Sequence, residues 1–213
     1  MIAIVDYGMG NLRSVSKAFE SQGFSSKITN DSDTIMSSNG LVLPGVGAFG
    51  DCIKNLKEYK LFDLIPEYIQ TGKPYLGICL GYQILFESSE ESPDQKGLGF
   101  IKGKVIKFDF EKELNLKIPH MGWNQINIKK QSEILDGIDD KSWFYFVHSY
   151  YPVPADSNIV AITADYGGEF TAAIQKDNVF ACQFHPEKSS DLGLKIVRNF
   201  ARKCGLRLED KAV

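Results

Sequence analysis

One cysteine lies between two glycines in a setting that suits a nucleophile. The segment Gly77-Ile78-Cys79-Leu80-Gly81 follows an apolar strand pattern and precedes a helical one. A sharp strand-to-helix turn of the form G-x-nucleophile-x-G exposes its central side chain and needs small neighbours. The N-terminus of the following helix would also favour a thiolate. The pattern indicates a thiol nucleophile at Cys79, although a buried core cysteine fits the same five residues.

A thiol nucleophile needs a base, and the chain has three histidines. Alternate residues of an extended segment face the same way, and His185 alone has a carboxylate two positions away, at Glu187. The intervening Pro186 keeps His185 extended. Glu187 would then accept a hydrogen bond from one ring nitrogen and leave the other for the sulfur. Taken alone, the segment also fits a polar turn after a strand.

The second glycine-rich segment is Gly45-Val46-Gly47-Ala48-Phe49-Gly50. Its spacing is that of a dinucleotide-binding loop, but it follows the second clear strand rather than the first, and Pro44 interrupts the junction. We expect instead a loop whose N–H groups line a cleft and stabilise an oxyanion; a surface turn is the alternative. There is no Walker A sequence, CxxC pair or histidine cluster, so we expect neither a metal nor a cofactor.

The segment Pro119-His120-Met121-Gly122-Trp123-Asn124 resembles a turn between weak strands. A core position is the usual role for such an aromatic residue. An exposed Trp/Met/His cluster would instead suit a protein–protein contact. Periodicity leaves both interpretations open.

Composition narrows the class of protein. The chain has 213 residues, 43% of them apolar and 24% charged, with a net charge of −3. Scattered charges argue against a nucleic-acid-binding face, and apolar runs of about five residues are too short to span a membrane. Four cysteines without a CxxC pair do not make a disulfide scaffold, and no signal peptide is evident. We expect one domain over residues 1–213, in a reducing cytoplasm.

Apolar strands alternate with helical periodicity up to about residue 90, and strands dominate after residue 95. Strands are predicted at 2–5, 40–43, 74–79, 105–110, 125–128, 143–149, 159–163, 170–175 and 179–184. Helices are predicted at 12–22, 52–60, 61–70, 82–87 and 194–204. Alternation of this kind implies a parallel sheet covered on both faces. We therefore expect a three-layer α/β sandwich with a central mixed, largely parallel sheet and a β-rich second half.

Three of these motifs together resemble those of class I, triad-type glutamine amidotransferases, which have a flavodoxin-like fold. They are Leu43–Gly50, Gly77–Gln83 and Gln183–Lys188. Three further segments are similar to the glutaminase subunits of imidazole glycerol phosphate synthases, which act in histidine biosynthesis. They are Asp6–Asn11, Pro119–Asn124 and Phe146–Tyr151. The resemblance covers essentially the whole chain.

The resemblance implies roles for the site residues. Cys79 would attack the side-chain amide of glutamine and form a thioester, with His185 as acid and base and Glu187 as its orienting group. The oxyanion would be held by the N–H of Leu80 and by an N–H of Val46 or Gly47. Glutamine would be bound by Gly45, Gly47 and Gln83.

It also implies a partner. A heterodimer would form with a cyclase subunit that is a (β/α)₈ barrel and binds the nitrogen acceptor. The interface residues implied are Asn11, Pro119, His120, Met121, Gly122, Trp123, Asn124 and Lys188. Three alternatives stay open: a paralogous subunit that supplies ammonia to a surface-sugar pathway, a nucleotide-binding module built on Gly45–Gly50, and a thiol peptidase or γ-glutamyl hydrolase that needs no partner.

Overall fold

The computed structural model describes residues 1–110 and 116–207. The strands are β1 Ile2–Val5, β2 Ser26–Thr29, β3 Gly40–Gly45, β4 Tyr75–Cys79, β5 Phe86–Ser89, β6 Ile101–Lys107, β7 His120–Ile128, β8 Trp143–His148, β9 Tyr150–Pro154, β10 Val160–Asp165, β11 Glu169–Lys176 and β12 Val179–Cys182. The helices are α1 Leu12–Ser21, α2 Ser32–Ser37, α3 Phe49–Glu58, α4 Leu64–Gln70, α5 Leu80–Gln83 and α6 Ser190–Lys203. None of the helices described is long and apolar enough to cross a bilayer.

A nine-stranded mixed sheet forms the centre of the molecule, in the order β2-β1-β3-β4-β12-β11-β10-β7-β8. The first five strands pair in parallel, and the pairings from β12 to β8 are antiparallel. A smaller sheet, β5-β6-β9, packs beside it. This confirms the expected mixed sheet, whose antiparallel part comes from the second half of the chain.

Helices cover both faces of the parallel strands because those strands are apolar on both sides. All four residues of β1 are buried. One apolar cluster joins the sheet to α1 and α6, where Phe19 packs edge-on against Phe200. The other joins it to α3 and α4, through Leu56 and Ile65 among others. The three layers expected from the sequence follow from these two clusters.

The carboxyl ends of three adjacent parallel strands meet at one edge of the sheet. In the registers of β3, β4 and β12, Gly45 lies beside Cys79 and Ile78 lies beside Cys182. Ligand sites in open α/β sheets form at such edges. The topology thus brings the glycine loop, the cysteine and the segment after β12 together.

Two sequence predictions were wrong in detail. The segment from His120 is the first half of β7 rather than a turn, because it pairs with β8 from His120–His148 onwards. The helix predicted at 82–87 is the single turn α5, followed by β5, because the chain at Phe86 joins the smaller sheet beside Ile101. Asn11 precedes α1 as expected, but its side chain makes no capping hydrogen bond among the described residues.

Candidate active site

Cys79 stands on a strained turn between β4 and α5. Its backbone has φ +54° and ψ −108°, in the region that L-residues avoid. A Cβ on Gly77 would lie 2.7 Å from the Gly81 carbonyl oxygen, and one on Gly81 would overlap the Leu43 carbonyl group. The two glycines are therefore required by close backbone packing around the cysteine. Strain of this kind is characteristic of functional positions.

His185 and Glu187 form a buried pair. Their Nδ1 and Oε1 atoms are 2.8 Å apart, and both side chains are 2% exposed. The hydroxyl of Ser189 accepts from the Tyr145 N–H at 3.0 Å and donates to the His185 carbonyl at 2.7 Å, which ties the histidine to β8. The other ring nitrogen, Nε2, has no hydrogen-bond partner among the described residues. It is the atom left for chemistry.

Local charges set the protonation state of His185. Burial alone would lower the pKa of this imidazole, but the sulfur of Cys79 and the carboxylate of Glu187 outweigh it and raise the pKa to about 10. The imidazole therefore carries a proton at neutral pH. Since Glu187 accepts the Nδ1 hydrogen, the Nε2 hydrogen is available for transfer to a leaving group.

The cysteine and this histidine line the same cavity, whose volume is about 360 Å³. That size suits a small molecule rather than a polymer. The lining residues are Val46, Gly47, Cys79, Leu80, Gln83, Glu91, Pro119, Val147, His148, Ser149, Tyr150 and His185. His148, Ser149 and Tyr150 belong to the segment Phe146–Tyr151 that carries the family resemblance, but no role in the site was predicted for them from the sequence. Glu91 was not singled out at all, because nothing in its spacing relates it to Cys79.

The glycine loop after β3 borders the cavity. Gly45 has no room for a side chain, since a Cβ would lie 2.6 Å from the Tyr7 hydroxyl and 2.8 Å from the Leu80 Cβ. Gly47 adopts φ +98°, a conformation that favours glycine. Val46 and Gly47 line the cavity beside Leu80, which begins α5. The glycine loop, the start of α5 and the Cys79 side chain therefore border one cavity.

The exposed face of β7 and β8 continues outward from the cavity. Met121 is 63% exposed, Trp123 50% and Trp143 52%. Trp123 pairs with Tyr145 and Gln125 with Trp143, so these side chains share one face of the ladder. The core interpretation of Trp123 is therefore wrong. The exposed face of β7 and β8 thus groups large apolar side chains at the surface.

The remaining candidate interface residues differ in exposure. Asn11, Pro119 and Lys188 are exposed, and Gly122 and Asn124 are half-buried. His120 is only 3% exposed and stacks on Tyr166, with ring centroids 4.0 Å apart. The prediction that the His120 side chain lies at the partner interface is therefore wrong. This side chain points to the interior, on the opposite face of β7 from Trp123.

Other parts of the described structure carry fewer features of a catalytic site. A larger cleft of about 530 Å³ lies between α6 and the segment 133–137, is lined mainly by charged side chains and contains none of the residues discussed above. No group of three or more His, Cys, Asp or Glu residues within the described ranges is arranged to hold a metal ion. The thiol–imidazole–carboxylate arrangement is thus the strongest candidate for chemistry.

Comparison with known proteins agrees with this geometry. The family model for class I glutamine amidotransferases matches residues 3–204. A protein of Aquifex aeolicus named imidazole glycerol phosphate synthase subunit HisH is 53% identical over 201 residues, covering 94% of this chain and 95% of its own. A protein of the same name from Syntrophotalea carbinolica is 51% identical over 203 residues, covering 94% and 98%.

Solved structures show the same fold at lower identity. A structure described as PurLQS from Thermotoga maritima superposes with a TM-score of 0.73 at 20% identity, covering 95% of this chain and 96% of its own. A putative GMP synthase subunit from Thermoplasma acidophilum gives 0.72 at 22%, covering 96% and 93%. With a family model spanning almost its whole length and relatives at about half identity, the chain belongs to the class I glutamine amidotransferases.

Proposed function

We propose that this chain is the glutaminase subunit of imidazole glycerol phosphate synthase, which hydrolyses glutamine to glutamate and ammonia. The observation that carries the proposal is the buried His185–Glu187 pair, whose histidine lines one small cavity together with the strained Cys79. Assignment to this particular synthase is supported by the relatives of 51% and 53% identity that are named as its subunits. The resulting reaction is thiol-mediated amide hydrolysis.

The first half of the reaction forms a thioester. The Cys79 sulfur attacks the side-chain amide carbon of glutamine, and the carbonyl oxygen becomes an oxyanion. The N–H of Leu80 and an N–H of Val46 or Gly47 stabilise that oxygen. His185 gives its Nε2 proton to the amide nitrogen, the C–N bond breaks, and ammonia leaves.

The second half hydrolyses the thioester. His185, now neutral, accepts a proton from water at Nε2 while the water oxygen attacks the acyl carbon. The C–S bond breaks, sulfur leaves as thiolate, and glutamate is released with His185 protonated again. Glu187 holds the ring in both halves through the 2.8 Å contact at Nδ1.

Glutamine is placed by the cavity wall. The Nε2 group of Gln83 donates hydrogen bonds to the Tyr150 carbonyl and to Gln183 Oε1. The Oε1 atom of Gln83 is therefore available to bind substrate. Gly45 and Gly47 allow the loop to approach the amide end. The carboxylate of Glu91 also lines the cavity, and its negative charge complements the positive α-ammonium group of glutamine.

The exposed face of β7 and β8 is the proposed docking site for the cyclase subunit, a (β/α)₈ barrel. This face meets the cavity in which ammonia is released at Val147, which lines the cavity and pairs with Met121. Asn11, Pro119 and Lys188 are exposed for contact with the same partner. Ammonia would pass into the barrel and reach N′-(phosphoribulosyl)formimino-AICAR phosphate. The products there are imidazole glycerol phosphate and AICAR phosphate.

The test is reconstitution with a barrel cyclase and the ribulosyl intermediate. We expect imidazole product with glutamine as nitrogen donor. Cys79→Ala should abolish that activity but leave synthesis from added ammonium salt intact, because only nitrogen release needs the sulfur. Glutaminase activity without any imidazole product would overturn the pathway assignment and favour another nitrogen acceptor.

A further inference from the structure

A buried amide contacts the nucleophile. Gln183 follows β12, is 0% exposed, and directs its Nε2 at the Cys79 sulfur across 3.6 Å. That distance is within hydrogen-bonding range for sulfur. The thioester chemistry described above does not use this side chain, and its one contact named there is with Gln83. A fully buried glutamine pointing at a thiol is therefore unexplained by the proposed function alone.

The orientation of this amide follows from a backbone carbonyl. The Tyr150 carbonyl can only accept hydrogen bonds, so the atom of Gln83 that lies 2.9 Å from it must be the amide nitrogen. The second hydrogen on that nitrogen points at Gln183, 3.0 Å away, and must meet an oxygen. The other end of the Gln183 amide, facing Cys79, is then the N–H donor.

A second hydrogen bond, from His148, holds the Tyr150 carbonyl in place. This carbonyl accepts from His148 Nδ1 at 2.8 Å, which makes His148 Nε2 an acceptor for His120 Nδ1 at 2.9 Å. His120 Nε2 in turn accepts from the Asn124 amide at 3.3 Å. Burial lowers the pKa of His120 to about 4 and, with help from neighbouring imidazoles, that of His148 to about 3. Both rings are neutral at neutral pH, as this hydrogen-bond pattern requires.

We propose that Gln183 is a further catalytic residue: its amide N–H holds the Cys79 sulfur as a thiolate, and Gln83 with the Tyr150 carbonyl keeps that N–H turned toward it. The proposal rests on the glutaminase function. A hydrogen bond to a charged acceptor is stronger than one to a neutral acceptor. The contact is therefore strongest when sulfur is anionic, before attack and as the thioester breaks.

The test is alkylation of Cys79 by iodoacetamide as a function of pH, in the isolated chain. Gln183→Met keeps the side-chain length and removes the donor. We expect the pH midpoint of alkylation to rise by about one unit, and the rate at pH 7 to fall roughly tenfold. Gln83→Met should raise the midpoint by a smaller amount, because Gln183 keeps its donor but loses its orienting partner.

Matched controls separate this effect from general damage. Gln175→Met removes a glutamine amide from β11 that bonds Ser132 and the Val179 carbonyl, away from the cavity, and should leave the midpoint unchanged. Cys79→Ala gives the background from the three other cysteines, all buried. Should Gln183→Met fail to fold, Gln183→Glu places an acceptor at the same position and should raise the midpoint further.

An unchanged midpoint in a folded Gln183→Met or Gln183→Glu chain would overturn the proposal. A shift in Gln175→Met of the same size would also overturn it, since the effect would then not be local. Alkylation needs neither glutamine nor a partner, so these outcomes are independent of whether imidazole product forms in the reconstitution described above.

Discussion

His185 Nδ1 lies 2.8 Å from Glu187 Oε1, and both side chains are almost fully buried although only Pro186 separates them in the chain. The 3₁₀ turn Pro186–Lys188 begins directly after His185 and makes this close pairing possible. Glu187 therefore holds the ring in one orientation, with the Nδ1 hydrogen directed at its carboxylate. The base and its orienting group form a single local unit, and only the sulfur is brought from elsewhere.

We expect His185→Ala to lower glutaminase kcat by roughly 10²–10⁴-fold, since it removes the group that transfers both protons. Glu187→Gln should cost roughly tenfold less, because the imidazole remains in the cavity with its orientation impaired. The measurement is steady-state glutamate release in the reconstituted complex. Equal losses in the two variants would contradict an orienting role for Glu187.

Gly81→Ala should destroy the nucleophile turn. A Cβ there would overlap the Leu43 carbonyl on β3, so α5 and β3 must separate. We expect glutaminase activity to be lost, with a loss of stability of about 1–3 kcal/mol. Gly72→Ala is the control: it has φ +80° but open space around it, so it should cost about 1–2 kcal/mol and leave kcat intact. Full activity in Gly81→Ala would refute the steric argument.

Trp123→Ala should weaken binding of the barrel subunit by at least about tenfold, as truncation of an aromatic anchor does. Half of this side chain is already exposed, so the melting temperature of the isolated chain should change little. Titration calorimetry and thermal melting give the two readouts. Tyr59→Ala, a similarly exposed aromatic at the end of α3, should leave affinity unchanged. A drop in melting temperature without a loss of affinity would contradict the docking face.

Stability should fall as the pH is lowered from 7 to 5. In the unfolded chain His120 and His148 take up protons near pH 6.5, but in the folded chain only near 4 and 3. The unfolded state therefore binds more protons in that interval, and the unfolding free energy decreases with falling pH. His185 acts in the opposite direction, since its raised pKa adds stability below pH 6.5 that is lost as pH rises.

Denaturant unfolding of the isolated chain at pH 7, 6 and 5 measures this dependence. His120→Phe keeps the stacking with Tyr166 and Phe146 but removes one titrating ring, so its stability should fall less steeply over the same interval. A steeper fall in the variant would show that other groups govern acid sensitivity.

Much of this site could be predicted because it depends on short segments. The turn around Cys79 and the pairing of His185 with Glu187 both follow from local spacing, and both are present in the structure. The first half of β7 was missed because its buried face carries His120 while its exposed face carries Met121 and Trp123, which inverts the usual alternation. In this half of β7 the polar side chain is buried and the apolar side chains are exposed. That arrangement becomes evident only from the pairing of β7 with β8.

The hydrogen bonds that link Gln83, Gln183 and Cys79 could not be predicted from the sequence, for a different reason. Gln183 lies 104 positions from Cys79, and Gln83 lies 67 positions from Tyr150. Residues two apart in an extended segment face the same way, so the strand predicted at 179–184 is the one local signal that could have placed Gln183 beside His185. What Gln183 contacts depends on β12 pairing with β4, and no spacing rule predicts that pairing.

The pairing of β4 with β12 also determines what can vary among related chains. Adjacent strands lie about 4.8 Å apart wherever the ladder is intact. Cys79 ends β4, and His185 follows three residues after the end of its neighbour β12. Insertions or deletions in the long stretch between them change its outer loops without altering that spacing. Recognition surfaces can therefore diversify while the reacting groups keep their separation.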